Sequence, residues 1–416
     1  VGITRYMQEV VIEKPYTFVP PHRGNWWPSF IQKFKLIDIW LRKQGVVSWE
    51  CRDQHKLRES LDAGHGVMLT PNHARASDPL AMGWLARSVG THVYAMASWH
   101  LFHQGKFIPW AIPKMGGFSI NREGIDKQAI NTSIEMLTSA ERPLIVFPEG
   151  AVTRTNDRLQ ALLDGVAFIA RTAAKRRQKL DPQAKVVIHP VAIKYLFLGD
   201  FALAADPLLT EIEHRFSWRP QRHLSITDRI AKVGRALLCL KEMEFFGEVR
   251  TGRFGERMKG LINRLLSPLE EEYLGKASDN EAVVPRVKAL RMKILPDMVR
   301  GRLNSQERLR RWEQLADIYL AQQVSSYPAD YLTERPSVSR FLETIERYEE
   351  DLTDRVRVHG DLKCIIQVGD AIEVSPNRDR QAAIDPLMQE LETAMQSMLD
   401  VLALESPLFE EHFIQP

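Results

Sequence analysis

Between residues 46 and 204 the chain repeats one pattern: a short apolar run of β character, a turn, then a stretch of helical periodicity. Val67-Met-Leu-Thr70 is one such run. Asp78-Pro79 then opens a helix reaching Val89, with an aspartate suited to the cap and a proline suited to the first turn. Residues 93–97 and 117–121 read as strands, Asp126 caps a helix through Leu137, and Leu144-Ile-Val-Phe147 is a buried type of strand. A helix over 159–179 and a strand from Val186 to Ile193 close the series. Strands separated by helices are joined by crossovers, and crossovers build parallel sheets covered by helices. The spacing predicts an α/β fold with a mostly parallel central sheet and flanking helices.

The pattern changes from about Pro207 to Val358. Stretches such as Ile230-Ala-Lys-Val-Gly-Arg-Ala-Leu-Leu238 are helical and densely charged, with hardly a β-rich run among them. β character returns at Cys364-Ile-Ile-Gln-Val368 and Ala371-Ile-Glu-Val374, and an amphipathic helix follows over 381–403. A lone strand pair and helix would not build a core unaided. The simplest organisation is therefore an α/β domain interrupted by a large all-α insertion, with two consecutive domains as the rival. It divides into an N-terminal arm (1–45), the first part of the α/β domain (46–204), the helical insertion (205–360), and a terminal strand and helix (361–416). No internal repeat is visible in the sequence.

Charge and cysteine usage narrow the function classes. Lys and Arg total 56 against 53 Asp and Glu, a net +3 that does not suit a dedicated nucleic-acid binder. Three scattered cysteines (Cys51, Cys239, Cys364) suit neither a disulfide framework nor a zinc site, and fit a reducing, cytoplasmic compartment. The opening residues show no secretory pattern. No apolar run reaches the roughly 18 residues of a membrane span, the longest candidate being broken by His189, Pro190 and Lys194. Seven of nine tryptophans nonetheless fall within the first 110 residues.

Four short constellations sit where an α/β sheet places its chemistry, at the carboxyl ends of strands. Asn72-His73-Ala-Arg-Ala-Ser-Asp78 follows the first buried strand. A neutral imidazole takes a proton near pH 7 if a carboxylate fixes its tautomer, and Asp78 stands at the helix start to do so. Gly116-Gly-Phe-Ser-Ile-Asn-Arg122 carries a guanidinium to a strand end, where its planar fork suits a phosphate. Phe147-Pro-Glu-Gly150 puts an acid in a turn, with Arg154 and Arg158 beyond it. His189-Pro190 breaks a strand with a proline, which marks an edge or a bulge.

Singly these are weak. Together and in this order they resemble the glycerolipid acyltransferase family typified by bacterial lysophosphatidate acyltransferases. His73 and Asp78 match its H-x-x-x-x-D motif, Asn121 stands where a common aspartate precedes Arg122, and Phe147-Pro-Glu-Gly150 matches its F-P-E-G. Pro190 matches the fourth block, and Val368 to Val374 looks like the family's terminal strand segment. One departure is clear: Ala151 and Val152 intervene where the family continues directly to Thr-Arg, here Thr153-Arg154.

The resemblance implies transfer of an acyl group from acyl-CoA or acyl carrier protein to a hydroxyl of a lysolipid. His73 would be the base and Asp78 its orienting partner. Asn72, Arg122, Phe147, Pro148, Glu149, Gly150, Arg154 and Pro190 would bind substrate. It implies no metal and no cofactor beyond the thioester. His100 and His103 have helical spacing for a metal pair but lack further ligands.

A lipid substrate makes a peripheral position at the membrane surface the expectation. Trp26, Trp27, Phe30, Phe34 and Trp40 form an apolar stripe followed by Arg42 and Lys43, which suits either an interfacial helix or core packing. Trp99, Phe102, Phe107 and Trp110 form a second stripe, expected in the core. The helical insertion is expected to be a cap or dimerisation element. The sharper alternative is a cationic face of Arg286, Lys288, Arg291, Lys293, Arg300, Arg302, Arg308, Arg310 and Arg311 toward anionic lipid or carrier protein. Two other functions remain open on the same fold: a lipid or thioester hydrolase, and a catalytically silent lipid-binding protein.

Overall fold

The computed structural model describes residues 13–301, 303–378, 381–382 and 384–409. Its strands are β1 (Val46–Arg52), β2 (Gly66–Pro71), β3 (Tyr94–Ser98), β4 (Gly117–Ile120), β5 (Leu144–Ile145), β6 (Val186–Phe197), β7 (Leu362–Val368) and β8 (Ile372–Glu373). They form one sheet in the order β1-β7-β6-β2-β5-β3-β4, with β8 on β6. β2 pairs in parallel with β5 and β6, and β3 with β4 and β5. β7 pairs in parallel with β1. Past β7, Gly369 N–H donates to Pro190 O at 2.8 Å and Ile372 pairs with Ile188, so this segment runs against β6.

β2 is buried at every position. Helices pack on both faces of a parallel sheet, so its central strand reads as a continuous apolar run rather than an alternation. β5 is shorter than its apolar run: Val146 N–H still donates to Leu69 O, but the chain leaves the sheet before Pro148. Helices over Lys127–Ser139, Gly165–Leu180 and Pro386–Ala403 cover the sheet, and Leu137, Ala170, Leu391 and Met395 share one core with Met68, Phe118 and Ile188.

The chain forms two compact units. One holds the sheet, over residues 16–196 and 362–405; the other, helical, has residues 13–15, 197–361 and 406–409 among those described. These bounds differ from the sequence-based ones. Residues 16–45 belong to the sheet-bearing unit, the helical unit begins at Phe197, and residues 406–409 return to it. β7 lies between β1 and β6, so without the segment after residue 361 the sheet would lack its second strand and β1 its only partner in that order.

The helical unit contains the repeat that the sequence does not advertise. Four of its helices are Phe201–Arg215, Ile226–Phe246, Phe254–Leu274 and Val283–Val299. Glu213, Glu242 and Glu270 lie near the ends of the first three, spaced 29 and 28 residues apart. Each accepts two bonds from an arginine at the fourth position of the next helix: Arg229 at 2.8 and 3.0 Å, Arg257 at 2.9 and 2.6 Å, Arg286 at 2.8 and 2.9 Å. Each also accepts the backbone N–H eight residues further on, from Gln221, Arg250 and Ser278. Buried Ile230 and Val233, Met258 and Leu261, and Val287 and Leu290 follow the three arginines at matching offsets. Little else is shared between the copies, which is why the repeat emerges only from the hydrogen bonds.

Arg286 is therefore an interior ion-pair partner and not a member of a cationic surface. Arg300 pairs with Asp297, Arg308 with Glu13, Arg310 with Glu272 and Glu307, and Arg311 with Glu307. Arg302 lies outside the described residues.

Candidate active site

The loop after β2 carries His73 and Asp78 to the carboxyl edge of the sheet. Asn72 is the first anchor. Its amide donates to Ile193 O at 3.0 Å and accepts from Ile193 N–H at 2.7 Å, so a side chain continues the β2–β6 ladder one step past Pro71. Asp78 is the first residue of the helix Asp78–Ser88, and Ser77 holds the cap position expected for it. This frees the Asp78 carboxylate to turn back over the loop. Oδ2 faces His73 Nδ1 at 3.0 Å and accepts Arg75 N–H at 2.8 Å, while Oδ1 accepts the Tyr195 hydroxyl at 2.7 Å.

Asp78 is 0% exposed, so these three donors replace its water. A carboxylate at Nδ1 assigns the imidazole proton to that nitrogen and leaves Nε2 as the acceptor. Burial first, and the Asp78 charge second, hold the Tyr195 phenol well above its usual range, so the hydroxyl stays a donor.

The Phe147-Pro-Glu-Gly150 turn supports His73 from the side. The Phe147 ring lies 4.2 Å from the His73 ring, centre to centre. Glu149 is 1% exposed, and both its oxygens are taken by backbone: His73 N–H at 2.7 Å and Gln160 N–H at 2.8 Å. Burial pushes this carboxyl up to about 7, against the pull of the two N–H donors. Gly150 has φ +70°, and a Cβ there would lie 2.6 Å from Leu163 Cδ1, so the turn needs glycine. Leu163 N–H in turn donates to Pro148 O at 2.8 Å.

The two additional residues, Ala151 and Val152, do not displace Thr153 from the loop. Thr153 N–H and Oγ1 both reach His73 O, at 2.8 and 3.2 Å. Arg154, half-buried, then adopts φ +61°, which reverses the chain. Beyond it a fully buried Lys194–Asp157 ion pair ties this loop to β6, and Gln396 brackets it through Leu159 N–H and Asp157 O.

Arg122 is exposed in the turn after β4. Asn121, in place of the aspartate, makes that turn: its Oδ1 accepts Glu123 N–H at 3.0 Å, while its own N–H donates to the helix-capping Asp126. β4 stands three strand spacings from β2, about 14 Å at the backbone. Pro190 is buried in β6, between β7 and β2, and not at an edge as its residue type suggested. Its neighbour His189 is a satisfied interior histidine, bonded to Ser60 Oγ and Gly369 O at 2.9 Å each.

Tyr195, Thr153 and the Lys194–Asp157 pair were not singled out from the sequence. The available signal was Lys194-Tyr195 itself, two long polar residues late in a mostly apolar strand. Among the described residues no group of three or more His, Cys, Asp or Glu gathers as a metal site would require.

The aromatic stripes meet. The first is two short helices, Trp26–Lys33 and Leu36–Lys43, broken by Lys35 in the left-handed region. Trp27 lies 5.3 Å from Trp110, Trp40 lies 6.3 Å from Phe107, and Lys114 Nζ stands 4.5 Å over Trp110. Trp26, Phe107 and Trp110 are 62%, 60% and 47% exposed, so the second stripe is not core as expected; of its members Phe102 alone is buried. No helix among the described residues is long and apolar enough to cross a membrane.

Residues 49–194 match the family model described as Acyltransferase, a span that runs from within β1 to within β6 and takes in His73 and Asp78. No curated protein matches the chain.

Proposed function

We propose that this acyltransferase domain moves a fatty acyl group from a thioester, acyl-CoA or acyl carrier protein, to a hydroxyl of a lysophospholipid or glycerol phosphate type of acceptor at a membrane surface. The observation that carries the reading is the His73 Nδ1–Asp78 Oδ2 contact of 3.0 Å at the sheet edge, within the segment that matches acyltransferases. His73 Nε2 takes the proton of the acceptor hydroxyl as its oxygen attacks the thioester carbonyl. The tetrahedral intermediate then expels the thiolate, which recovers the proton from the imidazolium. Asp78 stabilises that cation and holds the ring. No covalent enzyme intermediate is formed, because the acceptor itself is the nucleophile.

Arg122 and Arg154 are the candidates for the acceptor phosphate. An arginine side chain and a glycerol phosphate together bridge the distance from β4 to His73. Asn72 and Glu149 are better read as supports than as substrate contacts, since Ile193 and the His73 and Gln160 amides engage their side chains. The exposed tryptophan and phenylalanine cluster, with Lys114, Arg42 and Lys43 beside it in the fold or sequence, supports a peripheral position on lipid.

Thiol release from acyl-CoA and from acyl carrier protein, measured with a panel of lysolipid and glycerol phosphate acceptors, tests this. Release that depends on acceptor supports it. Equal release without acceptor identifies a hydrolase, and none with either donor a binding protein.

A further inference from the structure

The segment matched as an acyltransferase ends at residue 194, and the residue that completes the coordination of Asp78 is the next one. We propose that Tyr195 is a positioning residue of the acyl-transfer site: its hydroxyl fixes the plane of the Asp78 carboxylate toward the imidazole, and thereby sets how strongly His73 is polarised.

The inference rests on the acyl-transfer reading above and deepens it. Tyr195 is fully buried at the end of β6, a strand whose register with β2 is fixed from Gly66↔Val186 to Pro71↔Val191. The Asn72 side chain carries that pairing on to Ile193, two residues before Tyr195. Its backbone N–H is also held, by Asn156 Oδ1 at 3.3 Å. The Asp78 carboxylate thus has one oxygen shared between His73 and the Arg75 amide, while the other accepts the phenol.

A carboxylate with two donors on one oxygen and none on the other can still swing about χ2 and loosen its contact with the imidazole. The phenol restrains that swing, because leaving this plane would cost its bond. It also draws charge from the carboxylate, which moderates the pull on the imidazolium. The groups facing this carboxylate from the packed elements are His73 and Arg75 in the loop, Tyr195 in β6, Glu149 in the turn after β5, and Cys364 in β7, while Ser77 at the helix cap faces the Tyr195 hydroxyl. Arg75 contributes by stacking, its Cζ 5.3 Å from the centre of the Tyr195 ring.

The test compares the parent with Tyr195→Phe, Asp78→Asn and His73→Ala in acceptor-dependent thiol release from acyl-CoA, each as the full chain and each with its kcat/KM followed against pH. Tyr195→Phe removes one oxygen and keeps the ring that fills the core. The expected result is an acid limb moved up by about half to one pH unit, with a kcat/KM some threefold to tenfold lower along that limb and approaching the parent on the alkaline plateau. A uniform drop with an unmoved limb, or no change, overturns the proposal and leaves Tyr195 a packing residue. A Tyr195→Phe protein that does not fold is replaced by the parent with fluorotyrosine at its tyrosines, where a stronger phenol donor must move the limb in the opposite direction; an unmoved limb there overturns it as well. Loss of release in His73→Ala separates the two claims, since retained release there defeats the acyl-transfer reading itself, whatever Tyr195 does.

Discussion

Replacing Glu149 with glutamine keeps the size of the side chain and removes its charge, together with one of its two acceptors, a loss that does not vary with pH. In the folded domain this carboxyl lies at about 7, against 4.5 for an ordinary glutamate, because burial disfavours the anion more than two backbone donors favour it. The folded value is the higher one, so the neutral form is the stabilised form. The parent's stability relative to Glu149→Gln is then greatest below pH 4.5 and is lost as the pH rises through 7. The gap of about 2.5 pH units, at 1.36 kcal/mol each, amounts to about 3 kcal/mol. Urea unfolding of both proteins from pH 4.5 to 8.5, followed by tryptophan emission, measures it. Seven of the nine tryptophans lie in the sheet-bearing unit, so the emission reports mainly on the unit that holds Glu149. A stability difference that stays flat across this range, or that grows in the parent's favour with rising pH, would refute the reasoning.

Three further outcomes follow from the same geometry. Gly150→Ala forces a Cβ into a backbone at φ +70° and against Leu163, and should cost about 1–3 kcal/mol in the thermal unfolding of the domain, with a fall in kcat/KM. Phe107→Ser with Trp110→Ser should cut sedimentation with lysolipid-containing vesicles by roughly tenfold or more while leaving turnover of a water-soluble short-chain acceptor intact; unchanged sedimentation would mean that this aromatic face does not dock on lipid. Arg286→Ala should destabilise the helical unit by about 3–5 kcal/mol by stranding Glu270, whereas Arg286→Met with Glu270→Leu should recover most of it, as measured by chemical denaturation.

Much of the fold was legible because the physics that builds a parallel sheet writes itself into sequence. The apolar run at β2, the aspartates that cap helices, and the return of β character near Cys364 are all local signals. What stayed hidden was long-range. Nothing near Glu149 says that its carboxylate will be spent on the amides of His73 and Gln160, 76 and 11 residues away. Nothing in His189-Pro190 says that the strand lies inside the sheet, since β7, which covers it, arrives only after residue 361. The ion-pair repeat was missed because a buried arginine and a solvated one look alike in a charged helix. The second aromatic stripe was misread for the converse reason: Phe107 and Trp110 are as apolar as any core residue, and only the packing leaves them outside.

The central claim is that His73, held by Asp78, takes the proton from the acceptor hydroxyl. The most direct measurement is kcat/KM for acyl transfer to a lysolipid acceptor by His73→Ala, with circular dichroism confirming that the variant is folded. A loss of ~10²–10⁴-fold is predicted, the usual worth of a positioned general base. A folded variant within about threefold of the parent would contradict the account.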